Sequence, residues 1–303
     1  MKEILIVSGK GGTGKTTVAA ALSVLVSDKV IVDCDVDAAD LWLVLEPLST
    51  RSEEFAGLNK AVVDGDKCRG CGYCLEVCRF DAISFESGVA TVSKELCEGC
   101  AVCSRCCPFR AISMVPTIAG LVMESETPYG YFVHAQLGIG EENSGRLVSE
   151  VRRRARLAAE RLNARYLIID GPPGIGCPVI SATTGADLAL VVTEPTAAGK
   201  HDLERILDLL SHFKVPAVVC INKYDLDLSA SDDIARYCSA RGVAVVGRIP
   251  FDEEVPRAIS QGHPIIASRD EQNTRGETVD ATTESLAARE VRRIWEQMRL
   301  LVS

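Results

Sequence analysis

The sequence predicts an α/β protein built on a doubly wound, mostly parallel β-sheet that is interrupted by a small α+β module. Apolar runs rich in β-branched residues alternate with segments of helical periodicity, which is typical of a parallel sheet covered by helices. The alternation stops between about Val62 and Val115, where cysteine and glycine dominate and the apolar core pattern disappears. Because predicted strands lie on both sides of this stretch, the larger domain is expected to be discontinuous.

The elements of the larger domain can be placed in order along the chain. Strands are expected at Glu3 to Ser8, Val30 to Asp33, Tyr166 to Asp170, Leu188 to Thr193, Ala217 to Asn222 and Val243 to Ile249. The first helix is expected at Lys15 to about Val26, directly after a glycine-rich turn. Residues Gly120 to Ala135 predict a hairpin that turns at Thr127-Pro128-Tyr129-Gly130.

Two further helices are predicted from amphipathic periodicity. The first has Leu147, Val151, Ala155, Ala158 and Leu162 on one face, with Arg152, Arg153, Arg154 and Arg156 largely off it. We expect that arginine run to be a solvated face. The second runs from Leu286 to Val302 and aligns Ala287, Val291, Ile294, Met298 and Leu301. It is expected to pack on the body of the protein or on a partner, and the sequence leaves both open.

Length and composition set the domain organisation and exclude some classes of function. With 303 residues and 47% apolar content, the chain can form two units. We predict a larger domain over residues 1–61 and 117–303, and an insert over residues 62–116. The net charge of −9 argues against nucleic-acid binding and against stable membrane association. No export signal or long apolar stretch is present, so a cytoplasmic location is expected.

A phosphate-binding loop is predicted between the first strand and the first helix. The segment Gly9-Lys10-Gly11-Gly12-Thr13-Gly14-Lys15-Thr16-Thr17 fits the pattern G-x4-G-K-[ST] in that structural context. The glycines let backbone N–H groups surround phosphate oxygens, and the helix N-terminus adds partial positive charge. Lys15 would reach the β and γ phosphates, and the Thr16 hydroxyl would bind Mg²⁺. The sequence therefore predicts a P-loop ATPase that binds MgATP.

The cysteines show a second pattern, because eight of the 13 form a repeated spacing. Cys68-x2-Cys71-x2-Cys74-x3-Cys78 recurs as Cys97-x2-Cys100-x2-Cys103-x3-Cys107-Pro108. This double spacing indicates two four-iron four-sulfur (4Fe-4S) clusters, whereas a zinc ribbon needs no third close cysteine. Arg79 stands where a proline normally follows the fourth cysteine. Cys106 is expected to be a spectator, although it could substitute for Cys107 as a ligand.

The phosphate loop resembles that of the deviant Walker A ATPases, the MinD, ParA and nitrogenase iron-protein group, because Lys10 is its second residue. The resemblance extends from Met1 to about Ala267. It implies an ATP-dependent homodimer in which Lys10 reaches the phosphates of the partner. It also implies that Asp33 lies near Mg²⁺ and that Asp35 positions the attacking water, with Asp37 as the competing candidate.

The same resemblance assigns later segments of the chain. Leu167 to Gly174 resembles the family's switch II, in which Asp170 would hold Mg²⁺ through water. Asn222 would contact the purine base, and the backbone at Pro250 would meet adenine. Asn222-Lys223-Tyr224-Asp225 also satisfies the guanine-reading pattern N-K-x-D, so GTP remains an alternative to the ATP that the family favours.

The cysteine module resembles the bacterial two-cluster ferredoxins. That resemblance implies that each cluster takes three close cysteines from one half of the module and the fourth from the other half. One cluster would be bound by Cys68, Cys71, Cys74 and Cys107, and the other by Cys78, Cys97, Cys100 and Cys103.

The chain as a whole resembles MinD-superfamily ATPases with an inserted ferredoxin domain. This implies an ATPase whose dimer switching is coupled to electron transfer or to metallocluster maturation, with an electron carrier or a client metalloprotein as partner. A redox-responsive scaffold that ATP locks is the alternative, and a plain positioning ATPase is a third. The lone cysteines Cys34, Cys177, Cys220 and Cys238 are expected to be core residues, although Cys177 follows switch II and could bridge a metal in a dimer.

Overall fold

The chain folds into two compact units. The computed structural model describes residues 1–138, 141, 144–266 and 285–302. The large unit comprises Met1–Ser52, Val122–Gln136 and Ser144–Ser303, and the small unit comprises Glu53–Leu121 and Leu137–Asn143. The division into functional domains at residues 62–116 remains a prediction. Of the glycine-rich segment from Gly138 to Gly145, residues 139, 140, 142 and 143 lie outside the described residues.

The strands and helices alternate along most of the chain. The strands are β1 (Lys2–Ser8), β2 (Lys29–Asp33), β3 (Ser49–Val63), β4 (Ile83–Glu86), β5 (Val89–Val92), β6 (Ile112–Thr127), β7 (Gly130–Leu137), β8 (Tyr166–Pro173), β9 (Leu188–Thr193), β10 (Ala217–Asn222) and β11 (Ala244–Ile249). The helices are α1 (Lys15–Leu25), α2 (Trp42–Leu45), α3 (Tyr73–Glu76), α4 (Val102–Cys106), α5 (Ser144–Leu162), α6 (Cys177–Thr183), α7 (Ala197–His212), α8 (Leu228–Ala240), α9 (Glu254–Ser260) and α10 (Leu286–Leu301).

A nine-stranded sheet of order β11-β10-β9-β1-β8-β2-β7-β6-β3 organises the fold. Every neighbouring pair from β11 to β7 is parallel. The large, mostly parallel sheet of the prediction is therefore confirmed. The predicted hairpin is also present, since β6 and β7 are neighbours joined only by Pro128 and Tyr129.

Strand β1 lies in the interior of the sheet because its apolar side chains are buried. Ile4 and Ile6 are fully buried in a cluster with α1 and the C-terminal helix α10. In α10 the aligned residues Val291, Ile294 and Met298 have no exposed surface. The helix therefore packs on the large unit. Of the two alternatives that the sequence left open, packing on the body of the protein is the one observed. Leu301 is 59% exposed, so its predicted place on the buried face is wrong.

Helix α5 confirms its predicted apolar face but corrects the prediction for its arginines. Leu147, Val151 and Ala155 are fully buried, whereas Leu162 near the helix end is 49% exposed. Arg152 is only 3% exposed. The prediction of a solvated arginine face is thus wrong for Arg152, because a buried carboxylate from another element pairs with it.

The lone cysteines divide into two groups. Cys34, Cys220 and Cys238 are buried, as predicted for small core residues. Burial raises the pKa of each of these thiols. Cys177 is exposed at the first position of α6, so its prediction as a core residue is wrong.

Candidate nucleotide site and cysteine cavities

The glycine-rich loop lies between β1 and α1, as the sequence predicts. Gly12 has a φ of +81° and Gly14 a φ of +90°, a backbone region that residues with a Cβ rarely adopt. A Cβ at Gly14 would also collide with the side-chain amide of Asn222. Asn222 Nδ2 donates to the carbonyl of Thr13 at 2.8 Å. The predicted base-binding turn is therefore hydrogen-bonded to the phosphate loop.

Lys15 lies among carboxylates from two neighbouring strands. Its Nζ is 2.8 Å from Asp170 Oδ1 and 3.3 Å from Asp35 Oδ2, and its side chain is 6% exposed. Parallel pairing of β2 with β8 sets Asp33 beside Asp170. The structure thus brings together Lys15, Asp33, Asp35 and Asp170, which the sequence predicted as one site. Asp37, the competing candidate, is exposed.

Asp33 organises the loop that carries Asp35. Its Oδ1 accepts the N–H of Asp35 at 2.9 Å, and its Oδ2 accepts the N–H of Leu41 at 3.2 Å. In contrast, Asp170 Oδ2 is buried and has no hydrogen-bond partner among the described residues, and the same holds for Thr13 Oγ1. Asp170 therefore has the carboxylate oxygen that a bound cation could use directly.

Burial and neighbouring charges shift the pKa values of Asp33, Asp35 and Lys15. Burial raises the pKa of Asp33, and the nearby charge of Asp170 adds to this effect. Burial likewise raises the pKa of Asp35, against the opposing charge of Lys15. Burial alone would lower the pKa of Lys15, but Asp170 and Asp35 raise it overall. One ammonium group thus faces several carboxylates, an arrangement that would accommodate additional positive charge.

Lys10 is held by a carboxylate that the sequence reasoning did not single out. Its Nζ lies 2.5 Å from Glu194 Oε1, and Lys223 Nζ lies 3.7 Å from Glu194 Oε2. Glu194 directly follows β9, so only the sheet topology brings it to the phosphate loop. Its place after a strand of the parallel sheet was the one available signal, because ligand-facing loops follow such strands.

The predicted base-binding segments are joined by a hydrogen bond. Asp225 Oδ1 accepts the backbone N–H of Phe251 at 2.7 Å. This contact fixes the segment containing Pro250 against the turn that begins at Asn222. One carboxylate oxygen of the N-K-x-D pattern is therefore already engaged within the protein.

In the small unit, the eight repeated cysteines line two separate cavities. The first cavity is lined by Cys68, Cys71, Cys74 and Cys107. The second cavity is lined by Cys78, Cys97, Cys100 and Cys103. Each cavity thus combines three close cysteines of one repeat with the last cysteine of the other. Cys106 lines neither cavity.

The repeat extends beyond the cysteines to backbone and lining residues. Gly70 and Gly99 are equivalent positions and share a positive φ, as do Asp81 and Arg110. Phe109 in the first cavity corresponds to Phe80 in the second. The equivalent residues Arg69 and Glu98 carry opposite charge and each lines one cavity. The two cavities therefore share equivalent lining residues but differ in the charge at one of these positions.

Hydrogen-bond donors also face the cysteine sulfurs. The N–H of Ala111 donates to Cys107 Sγ at 3.3 Å. Backbone N–H groups of Ala90 and Gly70 lower the pKa of Cys68 by stabilising its thiolate. Across the residues described, no three histidine, cysteine, aspartate or glutamate side chains converge on a point that could hold a single metal ion.

The strand, glycine loop and helix, with Lys15 facing carboxylates at the end of a parallel sheet, define a P-loop nucleoside triphosphatase. The chain belongs to the CobQ/CobB/MinD/ParA nucleotide-binding domain family, whose model matches residues 4–265. MinD and ParA members of this family are P-loop ATPases.

Individual relatives agree with this family. An uncharacterized protein of Methanocaldococcus jannaschii is 34% identical over 262 residues, which cover 85% of this chain and 87% of the relative. An iron-sulfur cluster carrier protein of Aquifex aeolicus is 27% identical over 118 residues, covering 35% of this chain and 32% of the carrier. The structure of MinD from Pyrococcus horikoshii with Mg-ADP superposes with a TM-score of 0.57 at 21% identity, covering 100% of this chain and 97% of that one. At that identity the likeness shows the fold alone.

Among the helices in the described part of the chain, none is both long enough and apolar enough to span a lipid bilayer.

Proposed function

We propose that the chain is an ATP-hydrolysing iron-sulfur protein in which ATP-dependent switching of a homodimer is coupled to electron transfer or to maturation of a metallocluster or metalloenzyme. The observation that carries this proposal is the pair of four-cysteine cavities on a chain that also has a complete phosphate loop. Coupling is the simplest use of both parts in one molecule, and the matched family supports the ATPase part.

The nucleotide half of the proposal rests on Lys15 and the residues around it. Lys15 would bind the β and γ phosphates, and the free N–H groups at the start of α1 would bind phosphate oxygens. Thr16 and Asp170 would hold Mg²⁺, with Asp33 close behind. Bound Mg²⁺ would neutralise phosphate charge during the transfer.

Asp35 is the residue that would orient the attacking water. It is 8% exposed and is positioned by Asp33 through its backbone N–H. Phosphoryl transfer depends mainly on positioning and charge stabilisation, so a carboxylate that only orients water is sufficient. When phosphate attracts Lys15, the ion pair between Lys15 and Asp35 would weaken, and Asp35 could then accept a hydrogen bond from water.

The cysteine cavities fit 4Fe-4S clusters in donor chemistry and arrangement. A cubane binds four thiolates on four different irons, so its ligands surround a volume, whereas a single zinc ion draws its ligands to one point. Four cysteines line each cavity together with apolar side chains. The N–H groups that face Cys68 would stabilise the thiolate form that iron requires, and the N–H of Ala111 would remain a donor to Cys107 Sγ. Bound clusters would supply one-electron redox chemistry.

A redox-responsive scaffold that ATP locks as a dimer is the second candidate. The exposed aromatic residues Tyr73 and Phe109, which line the first cavity, favour it because they offer a surface for a client protein. The two candidates differ in whether hydrolysis depends on the oxidation state of the clusters.

The deciding experiment measures the ATPase rate of anaerobically purified protein with the clusters reduced and then oxidised. We expect a rate that changes with redox state and that is lost in Lys15→Ala. Equal rates in both redox states would leave only the scaffold, and a rate no higher than that of Lys15→Ala would contradict the ATPase itself.

Cluster binding is tested separately by iron content and by electron paramagnetic resonance of the reduced protein. Cys71→Ser and Cys100→Ser are each expected to lose one cluster signal. Cys106→Ser, the matched control, should retain both because Cys106 lines neither cavity. Wild-type protein without iron would refute the cluster assignment.

A further inference from the structure

Glu194 joins lysines from two different parts of the nucleotide site. It accepts Lys10 from the phosphate loop at 2.5 Å and lies 3.7 Å from Lys223 of the base-binding turn. The Glu194 side chain is only 17% exposed. Two cations thus share one largely buried carboxylate.

The backbone around Glu194 is fixed. Its carbonyl accepts the N–H of Thr196 at 2.8 Å, and Thr196 Oγ1 in turn caps α7 by accepting the N–H of Gly199 at 2.9 Å. A Cβ at Gly199 would collide with the Glu194 carbonyl, so the first turn of α7 packs tightly against it. Lys10, by contrast, is a long side chain on a loop of glycines. Any change at this contact would therefore move Lys10 and leave Glu194 in place.

We propose that Glu194 is a positioning residue that holds Lys10 within its own subunit and so competes with the contact of Lys10 across the dimer. The inference rests on the proposed nucleotide-dependent homodimer and names the residue that restrains it. Lys10 has a single ammonium group, which cannot remain against Glu194 while it binds phosphates of the partner.

Lys223 lowers the free-energy cost of separating Lys10 from Glu194. A largely buried carboxylate that loses its only cation is strongly destabilised. Glu194 retains Lys223 when Lys10 leaves, so its charge remains compensated. The arrangement thus favours the separated subunits only modestly, and nucleotide phosphates can reverse it.

The test compares ATP-dependent dimerisation of wild type and Glu194→Gln by sedimentation with a slowly hydrolysed ATP analogue. The Lys10–Glu194 ion pair breaks in both subunits when a dimer forms. Removal of the carboxylate charge should therefore lower the dimer dissociation constant about tenfold, which is the combined effect expected for two ion pairs near the surface. Glu194→Asp retains the charge but shortens the reach to Lys10, and an intermediate constant is expected.

Two controls separate this effect from general charge and folding effects. Asp208→Asn removes one negative charge from α7, where Asp208 is 67% exposed and pairs with Arg241, and should leave dimerisation unchanged. Lys10→Ala should abolish dimerisation in the wild-type and Glu194→Gln backgrounds alike. Unfolding temperatures confirm that each variant is folded.

An unchanged or weaker dimer in Glu194→Gln would overturn the inference, because it would mean that Glu194 supports the dimer or plays no part in it. Absence of any dimer in wild type and in all variants would instead refute the proposed homodimer. The two failures are therefore distinguishable.

Discussion

The buried guanidinium of Arg152 on α5 pairs with the carboxylate of Glu3 at the start of β1. Arg152 also donates to the carbonyl of Ser181 at 2.8 Å and to that of Thr184, at the end of α6. Arg156 adds a second contact to Glu3 at 2.5 Å. Arg152 therefore connects a central strand, α5 and the carbonyl end of α6.

We expect Arg152→Met to lower the free energy of unfolding by about 3 kcal/mol, the usual cost of removing one partner of a buried ion pair. Arg153→Met is the matched control on the same helix. Arg153 pairs with Glu150 but its side chain is 58% exposed, so its loss should leave stability nearly unchanged. Chemical denaturation measures both, and similar losses would contradict a structural role specific to Arg152.

Asp225 is expected to position the base-binding segment without reading guanine. If it read guanine, Asp225→Asn would shift the preference of the protein from GTP to XTP, because the exchanged amide matches xanthine. Since Asp225 Oδ1 instead accepts the N–H of Phe251, and an asparagine oxygen can do the same, we expect the variant to keep its preference for ATP. Competition binding with ATP, GTP and XTP measures this.

Asp225→Ala provides the contrasting variant. It removes the acceptor of the Phe251 N–H and should weaken ATP binding about fivefold to tenfold, which corresponds to the loss of one typical hydrogen bond of about 1 kcal/mol. Tight GTP binding by wild type, lost in Asp225→Ala and converted to XTP binding in Asp225→Asn, would establish guanine recognition instead.

His134 of β7 should make the large unit sensitive to acid. It is 5% exposed and stacks on Phe132 with ring centroids 4.4 Å apart. Neither ring nitrogen has a hydrogen-bond partner within the described part of the chain. Burial lowers the pKa of His134 from 6.5 to about 4. The unfolded chain therefore binds a proton more readily than the native protein, and stability falls as the pH drops from about 6.5 towards 4.

His134→Leu removes this titration. As the pH is lowered from about 7.5 to about 5, the unfolding free energy of the variant should rise by about 2 kcal/mol relative to that of wild type. The reason is that protonation of His134 stabilises the unfolded state of wild type, and the variant lacks this histidine. Chemical denaturation of both proteins at several pH values tests this, since titrations common to both cancel. Parallel pH profiles would show that His134 is protonated as easily in the native protein as in the unfolded chain.

The opposite charges of Arg69 and Glu98 should make the two proposed clusters inequivalent. A nearby cation stabilises the reduced, more negative state of a cluster, and a nearby anion destabilises it. We expect the cluster of the first cavity to be reduced at the higher potential. The double variant Arg69→Glu, Glu98→Arg should reverse the order or narrow the gap.

Redox titration followed by electron paramagnetic resonance measures both potentials, and loss of one signal in Cys71→Ser or Cys100→Ser assigns them. Because both side chains are exposed at the surface, the difference should grow at low ionic strength. Equal potentials in wild type and in the double variant would show that solvent screens these charges completely.

Short-range patterns in the sequence were sufficient for several features. The phosphate loop and α1 depend on a continuous stretch of chain, so spacing and residue type predict them directly. Lys15, Asp33, Asp35 and Asp170 could be grouped because parallel strands end at a common edge of the sheet. Likewise, the α10 helix followed from apolar periodicity, although its packing partner did not.

What the sequence by itself determined is therefore the set of elements, the phosphate loop and the repeated cysteine spacing, all of which arise from neighbouring residues. Only the tertiary structure decided that Arg152 is buried against Glu3, that Glu194 holds Lys10 and that Asp225 is bonded to the segment after β11. The physical reason is that a charge's environment depends on which distant elements pack around it. Strand order sets that packing, and no local pattern of residues encodes which carboxylate will meet which cation.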